Sequence, residues 1–327
     1  MEKINTLCNG KRVLFISTKN LDYIRNTQEV ALISQKASNI KIIGSNSKSY
    51  LVRLAYVYAH LLVQRMRNID VVFVGFAPQL VLPVFYHKLK KKVVIIDFFI
   101  SVYDTFVCDR SKVRKDSLLA KVSHKLDQRT LEKTDIIIAD TKAHSDFFCD
   151  EFGAEPQKMH VLYLEADKSI YYPRQKKKPK EMKNKYVVLY FGSILPLQGV
   201  DVVIKAIELL KDNDDIYFYV IGPINSEMKK VNQYNVEYID WLPQEELANY
   251  IAMADLCLAG HFSGEIEKAK RTIPGKAYIY DAMKKKILLG DNSANHELFE
   301  EKDGKYFVQM GNPKALADRI VEIMEEG

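Results

Sequence analysis

Short runs of aliphatic and β-branched residues recur along the chain, at Val13–Ile16, Ile40–Ile43, Val71–Val74, Val93–Ile96, Ile136–Ala139 and Val161–Leu164. Between most of them lie stretches with apolar positions at helical spacing, such as Leu51–Met66 and Ser117–Glu132. Strands alternating with helices in this way predict βαβ units and a mostly parallel sheet. The alternation breaks over residues 172–185, YPRQKKKPKEMKNK, which are basic, hold two prolines and lack apolar periodicity. It restarts with strand Tyr186–Phe191, helix Val200–Leu210, strand Tyr217–Ile221, a helix near Ser226–Asn232 and a strand near Val236–Ile239. Helix Gln244–Met253, strand Leu256–Ala259, a basic loop, helix Lys276–Met283, strand Ile287–Leu289 and helix Pro313–Met324 follow. The expectation is an α/β chain of two Rossmann-like domains, 1–172 and 186–327, joined by a linker at 173–185 and facing a cleft. Open α/β sheets bind ligands at the C-terminal ends of their strands, which places the expected site there.

Bulk properties narrow the class. A length of 327 residues exceeds one ordinary core, and 47% hydrophobic with 28% charged residues describes a soluble globular chain. No apolar run approaches the ~20 residues of a membrane span, and the N-terminus has no apolar core of a secretory signal. Cys8, Cys108, Cys149 and Cys257 are scattered without CxxC or metal-ligand spacing, so a reduced, cytoplasmic setting and no metal are expected. The formal charge of +6 is concentrated in clusters at 88–92, 176–180 and 284–286. No zinc-finger spacing or RNA-binding aromatic signature accompanies them, so nucleic acid is not an expected partner. The helix over 50–67 mixes an apolar and aromatic face with Arg53, Arg65 and Arg67. Either it faces the core with a solvated outer side, or with Lys88–Lys92 it makes a peripheral contact with an anionic membrane.

Residues 270–299, KRTIPGKAYIYDAMKKKILLGDNSANHELF, concentrate the chemistry. A basic loop with Lys270 and Arg271 runs through Pro274-Gly275 into a helix opening at Lys276, and the polar turn Gly290–Ser293 leads to a second helix start. Cations and the positive end of a helix converge there, which suits a phosphate or diphosphate; the alternative is a βαβ connection with solvated lysines. Gly192 and Gly222 each end a strand in the same half, and glycine lets a ligand approach the backbone closely. Other phosphate chemistry is excluded. There is no GxxxxGK[ST], no GxGxxG after the first strand, no HExxH and no GxSxG.

With those residues in view, the chain resembles bacterial glycosyltransferases of the GT-B fold in the large retaining family 4. In the second half the likeness rests on YFGSILPLQGVDVVIKAIELL, IYFYVIG, Trp241-Leu242-Pro243, ELANYIAMADLCLAG, IPGKAYIYDAMKKKILLGDNSANHELF and GNPKALADRIVEI. In the first half it rests on LEKTDIIIADTKAHSDFF and VLYLEAD, ending at Tyr172-Pro173. The resemblance implies a nucleotide-sugar donor held by the C-terminal domain and an acceptor, a cell-surface glycan or lipid-linked, held by the N-terminal domain. It implies transfer without an obligatory metal, the diphosphate charge being met by side chains and helix N-termini. No crossover helix back to the first domain is evident before Gly327, so looser closure or help from another chain is expected.

The departures from the family pattern matter. An Arg after the loop glycine and a Lys before the helix glycine are replaced by Ser193 and Gln198, and a pair of glutamates eight residues apart by Arg271 and Ile279. Arg271 and Lys276 are therefore the expected diphosphate contacts. Gly192, Ser193 and Gly222 line the donor side; Glu265 and Glu267 are either surface charge or a stand-in for the missing first glutamate, and Glu297 either matches a family glutamate or is a helix-start residue. Asp97 or Asp104 is expected to bind acceptor hydroxyls or act as base, His144 to be a helix-start residue, and Asp167 to be structural. A catalytically silent GT-B-like partner or glycan-binding subunit is the alternative to an enzyme.

Overall fold

The structure is a computed structural model and describes residues 2–109, 114–224 and 230–326. It divides into two compact units, Met1–Leu164 and Glu165–Gly327. The first contains six parallel strands: β1 Arg12–Ser17, β2 Asn39–Ile43, β3 Val71–Phe76, β4 Val93–Asp97, β5 Ile136–Ala139 and β6 Met159–Val161. They are ordered β2-β1-β3-β4-β5-β6. Its helices are α1 Glu2–Cys8, α2 Ile24–Ser34, α3 Tyr50–Val63, α4 Leu82–Leu89, α5 Leu118–Glu132 and α6 Lys142–Phe152. Because successive strand side chains point to opposite faces, Leu14, Ile16, Val72, Val74, Val94 and Ile96 pack with α3–α6. Val13, Phe15, Val71, Phe73 and Ile95 pack with α1 and α2. Both faces are covered, which explains why these strands read as unbroken apolar runs.

The second unit holds β7 Tyr186–Phe191, β8 Ile216–Ile221, β9 Val236–Ile239, β10 Leu256–Gly260, β11 Lys286–Gly290 and β12 Lys305–Val308. Its helices are α7 Val200–Leu209, α8 Gln244–Met253, α9 Glu267–Arg271, α10 Gly275–Ala282 and α11 Pro313–Glu325. The order β12-β11-β10-β7-β8-β9 is that of a dinucleotide-binding Rossmann sheet, with the direction of winding reversing between β7 and β10. α7 and α11 share one core face with Tyr190, Phe218, Leu258 and Leu288.

Several elements differ from expectation for local reasons. The division between units falls at Leu164, ahead of the basic stretch, which is fastened to the second unit. Lys178 pairs with Asp255, the same carboxylate that accepts from the Val187 N–H at 2.7 Å, and Arg174 stacks on Tyr172 4.1 Å from the ring centre. β6 begins two residues early because Met159 already pairs with Ile137. The helix expected over 51–66 ends at Val63, where Gln64 turns extended. The basic loop before Lys276 contains α9, and the helix start after Ser293 is one 3₁₀ turn, Asn295–Glu297. β12 was not expected; it is an edge strand, KYFV, set among charged residues. Much of the helix expected near Ser226–Asn232 lies outside the described residues.

Candidate functional site

In the second unit, the loops after β7, β8, β10 and β11 interlock through glycine. Gly192 leaves β7 with φ +152° and Gly222 leaves β8 with φ +141°, both in the region that favours glycine. A Cβ on Gly222 would collide with the carbonyl oxygen of Gly192, and one on Gly199 with the Phe262–Ser263 backbone. The Phe262 N–H donates to Gln198 O at 3.2 Å, and a Cβ on Gly290 would strike His261 O. β7 and β10 are paired neighbours, so this assembly sits at the topological switch point of the sheet.

Lys276 enters the assembly from below. It lies in the first turn of α10, which Pro274 opens as N-cap, and its side chain runs under the Gly192 loop. Its Nζ is 3.9 Å from the centre of the Tyr190 ring. Lys276 is 5% exposed, and its ammonium nitrogen has no hydrogen-bond partner among the described residues. Burial alone pushes its pKa well below that of an ordinary lysine. His261, also buried, is pushed down to about 3 by desolvation and by the neighbouring Lys276. Thr272 Oγ1 lies 3.4 Å from its Nδ1. Two basic groups thus lie buried side by side at the strand ends, with no acidic partner among the described residues. A buried cation in that state is costly, and an anionic ligand removes the cost.

The remaining donor-side candidates are distributed around this point. Arg271 is half-buried at the end of α9. The 292–297 loop is fixed against α9, with Ser293 Oγ donating to Lys270 O at 3.2 Å and Asn295 Nδ2 to Gly290 O at 2.7 Å. That loop carries half-buried Glu297 beside Arg271's segment. Ser193 and Glu265 are exposed. Glu267 is exposed and bonded to Lys270 at 2.7 Å. His261 was not singled out from sequence, although its place immediately after β10 is the signal that finds it.

In the first unit both acceptor-side carboxylates lie inside. Asp97 ends β4 and is gripped by Arg25, with Nε–Oδ2 2.7 Å and Nη2–Oδ1 3.1 Å. Arg25 also donates to Leu162 O and lies 3.8 Å from Glu29. Burial, then Asp97, holds the Glu29 carboxyl well above the usual range. Asp104 is fully buried and faces the Nε2 of His144 at 3.9 Å. His144 Nδ1 is 2.7 Å from Asp140 Oδ1. His144 does lie in the first turn of α6, its N–H bonded to Thr141 Oγ1, but its ring is clamped between two carboxylates. The outer one, Asp140, ends β5 and is 22% exposed. Asp104 and His144 are both candidates from the sequence, but their meeting is not legible there, because the segment Asp104–Asp109 and α6 come together only in the fold. Asp167 caps its own turn by accepting from the Ser169 N–H at 2.9 Å and hydroxyl at 2.6 Å.

Residues 185–326 match the family described as "Glycosyl transferases group 1". The Pseudomonas aeruginosa protein described as a probable glycosyltransferase, WbjE, is 23% identical over 287 residues, 83% of this chain and 70% of that protein. Anabaena Alr3699/HepE in complex with UDP superimposes with a TM-score of 0.63 at 14% identity, over 96% of this chain and 90% of the other. Sucrose-phosphate synthase of Thermosynechococcus elongatus gives a TM-score of 0.68 at 10% identity, over 97% and 90%. At such identities the structural likeness speaks for the fold, GT-B, and the domain match speaks for the class. Residues 185–326 are thus similar to a group 1 glycosyl transferase domain, and the chain has the GT-B fold of glycosyltransferases.

Proposed function

We propose that the protein moves a sugar from a UDP-linked donor onto a cell-surface glycan or lipid-linked acceptor, with retention at the anomeric carbon. The observation that carries this reading is Lys276, buried beneath Gly192 at the switch point of the second sheet with no hydrogen-bond partner for its Nζ among the described residues. A diphosphate seated over the Gly192 loop supplies the charge Lys276 lacks. Arg271 and the N-terminal end of α10 add to its hold. As the glycosidic bond to the donor breaks, charge builds on the departing diphosphate oxygen, and cations already in place stabilise it. In this reading side chains and a helix end, rather than a metal ion, meet that charge. UDP is the first choice because Alr3699/HepE was solved with UDP and with UDP and glucose.

On the acceptor side, Asp104 acts through His144 on Asp140, whose half-exposed carboxylate receives the acceptor hydroxyl proton; Asp97 holds the end of β4 through Arg25. The test is a thermal-shift titration with UDP, GDP and their sugars, followed by donor hydrolysis and transfer assays. Stabilisation by UDP that Lys276→Ala weakens far more than it weakens uridine binding supports the reading. Failure of every nucleotide to stabilise the protein, with no donor turnover, overturns it.

A further inference from the structure

Helix α3 has its polarity inverted. Its charged residue, Arg53, is buried and donates to Thr18 O, Ser47 O and Lys48 O, while Val57 and Leu61 fill the core. The outer face, Leu51, Val52, Ala55, Tyr56, Ala59, Leu62 and Val63, is exposed and uncharged. Leu51 is 75% exposed, Leu62 70% and Val63 78%. A water-facing helix ordinarily shows the opposite pattern. Cations rim this stripe. Lys88 reaches from α4 to cap the end of α3, donating to Leu61 O at 2.6 Å and Leu62 O at 2.7 Å. On the other side, between α3 and the edge strand β2, lies a cavity of about 630 Å³ lined by Lys41, Tyr56, His60, Val63, Arg65 and Asn68, with no carboxylate in its wall. Between Glu29 and Asp97 the sequence has one acidic residue, Asp70, and Arg12 occupies it at 2.9 Å.

We propose that this face docks on an anionic lipid bilayer. α3 lies in the interfacial plane with Leu51, Val52, Leu62 and Val63 among the upper acyl chains, and a lipid phosphate enters the cavity between Lys41 and Arg65. Among the described residues no helix is long and apolar enough to cross a membrane, so the contact lies on the surface. A second copy of the chain fits the face less well, because a two-fold contact sets the same basic rim against itself. The inference stands apart from the donor site and does not depend on it.

Flotation of the full chain with vesicles tests it, using phosphatidylcholine alone and phosphatidylcholine with about one third phosphatidylglycerol. The protein is expected to float with the anionic vesicles only and to be released in about 1 M salt. Leu62→Glu with Val63→Glu, and separately Lys41→Glu with Arg65→Glu, should each lower the bound fraction about tenfold. These side chains are exposed, so the melting temperature should hold, and circular dichroism checks the fold. Equal binding to both vesicle types, or to neither, overturns the proposal. So does inorganic phosphate binding at the Lys41–Arg65 cavity without vesicle binding. A concentration-dependent dimer in sedimentation that the Leu62→Glu, Val63→Glu pair dissolves, with no flotation, would reassign the face to self-association.

Discussion

The ammonium nitrogen of Lys276 lies 3.0 Å from where a Cβ on Gly192 would stand. The glycine therefore makes room for the lysine as well as for a ligand. Gly192→Ala must accept φ +152° and push the lysine aside, at a cost of about 1 kcal/mol. Gly222→Ala meets the Gly192 carbonyl, which is backbone and cannot swing away, so its cost is expected to be about 2 kcal/mol or more. Urea melts of the two variants should rank in that order. UDP affinity should fall about tenfold for Gly192→Ala, since a displaced Lys276 meets the diphosphate less squarely.

Replacing Lys276 separates function from stability. A buried amine with no hydrogen-bond partner among the described residues adds little to the stability of the free protein, and Met keeps most of its volume without the polar group. Lys276→Met is expected to leave the ligand-free melting temperature unchanged or raised, while abolishing most of the UDP-induced shift. A large loss of ligand-free stability would mean the amine has a structural partner after all.

Protonation gives an independent readout of the same residue. The folded-state pKa of Lys276 lies below that of an unfolded lysine. Between those two values the unfolded chain holds the extra proton, so this residue makes stability rise with pH across the window. A bound diphosphate reverses the preference and recharges the amine. UDP binding should therefore take up a proton, and affinity should fall as pH rises above the ligand-free pKa. Calorimetry at one pH in buffers of different ionisation enthalpy measures the uptake. The wild type should show uptake approaching one proton and Lys276→Met close to none.

The contrast between what was legible in the sequence and what was not has a physical basis. Strands such as Val71–Phe76 and Leu256–Gly260 are buried on both faces, so their apolar runs declare them. Two of the edge strands do not: β6 was misplaced by two residues and β12 missed, each being short and only partly buried. Gly192, Gly222 and Lys276 were legible as a site because strand-end glycines and a helix-start cation are local signals. Arg25–Asp97 and Asp104–His144–Asp140 join residues that only the fold brings together. No spacing in the chain could announce them.

The buried Arg25–Asp97 pair makes a prediction of its own. Arg25→Met leaves Asp97 buried without its cation and beside Glu29, a change expected to cost about 3–5 kcal/mol. Asp97→Leu alone strands Arg25 and should cost a similar amount. The double variant, which removes both charges, should recover much of the loss. A denaturation cycle over the four proteins measures the coupling, and additive losses would show that the pair does not hold the end of β4.

Asp140 offers the sharpest separation of binding from chemistry. Its carboxylate is the half-exposed end of a row whose inner members, His144 and Asp104, are fully buried. His144 fixes it at 2.7 Å through Nδ1. Asp140→Asn keeps the shape and removes the base, so kcat for transfer should fall about 10²–10⁴-fold. UDP binding, which belongs to the other unit, should be unchanged. His144→Gln retains a polar side chain but loosens the carboxylate, so its loss of kcat should be smaller. Full transfer activity in Asp140→Asn would remove this row from the reaction and leave the acceptor proton to the donor's own departing diphosphate.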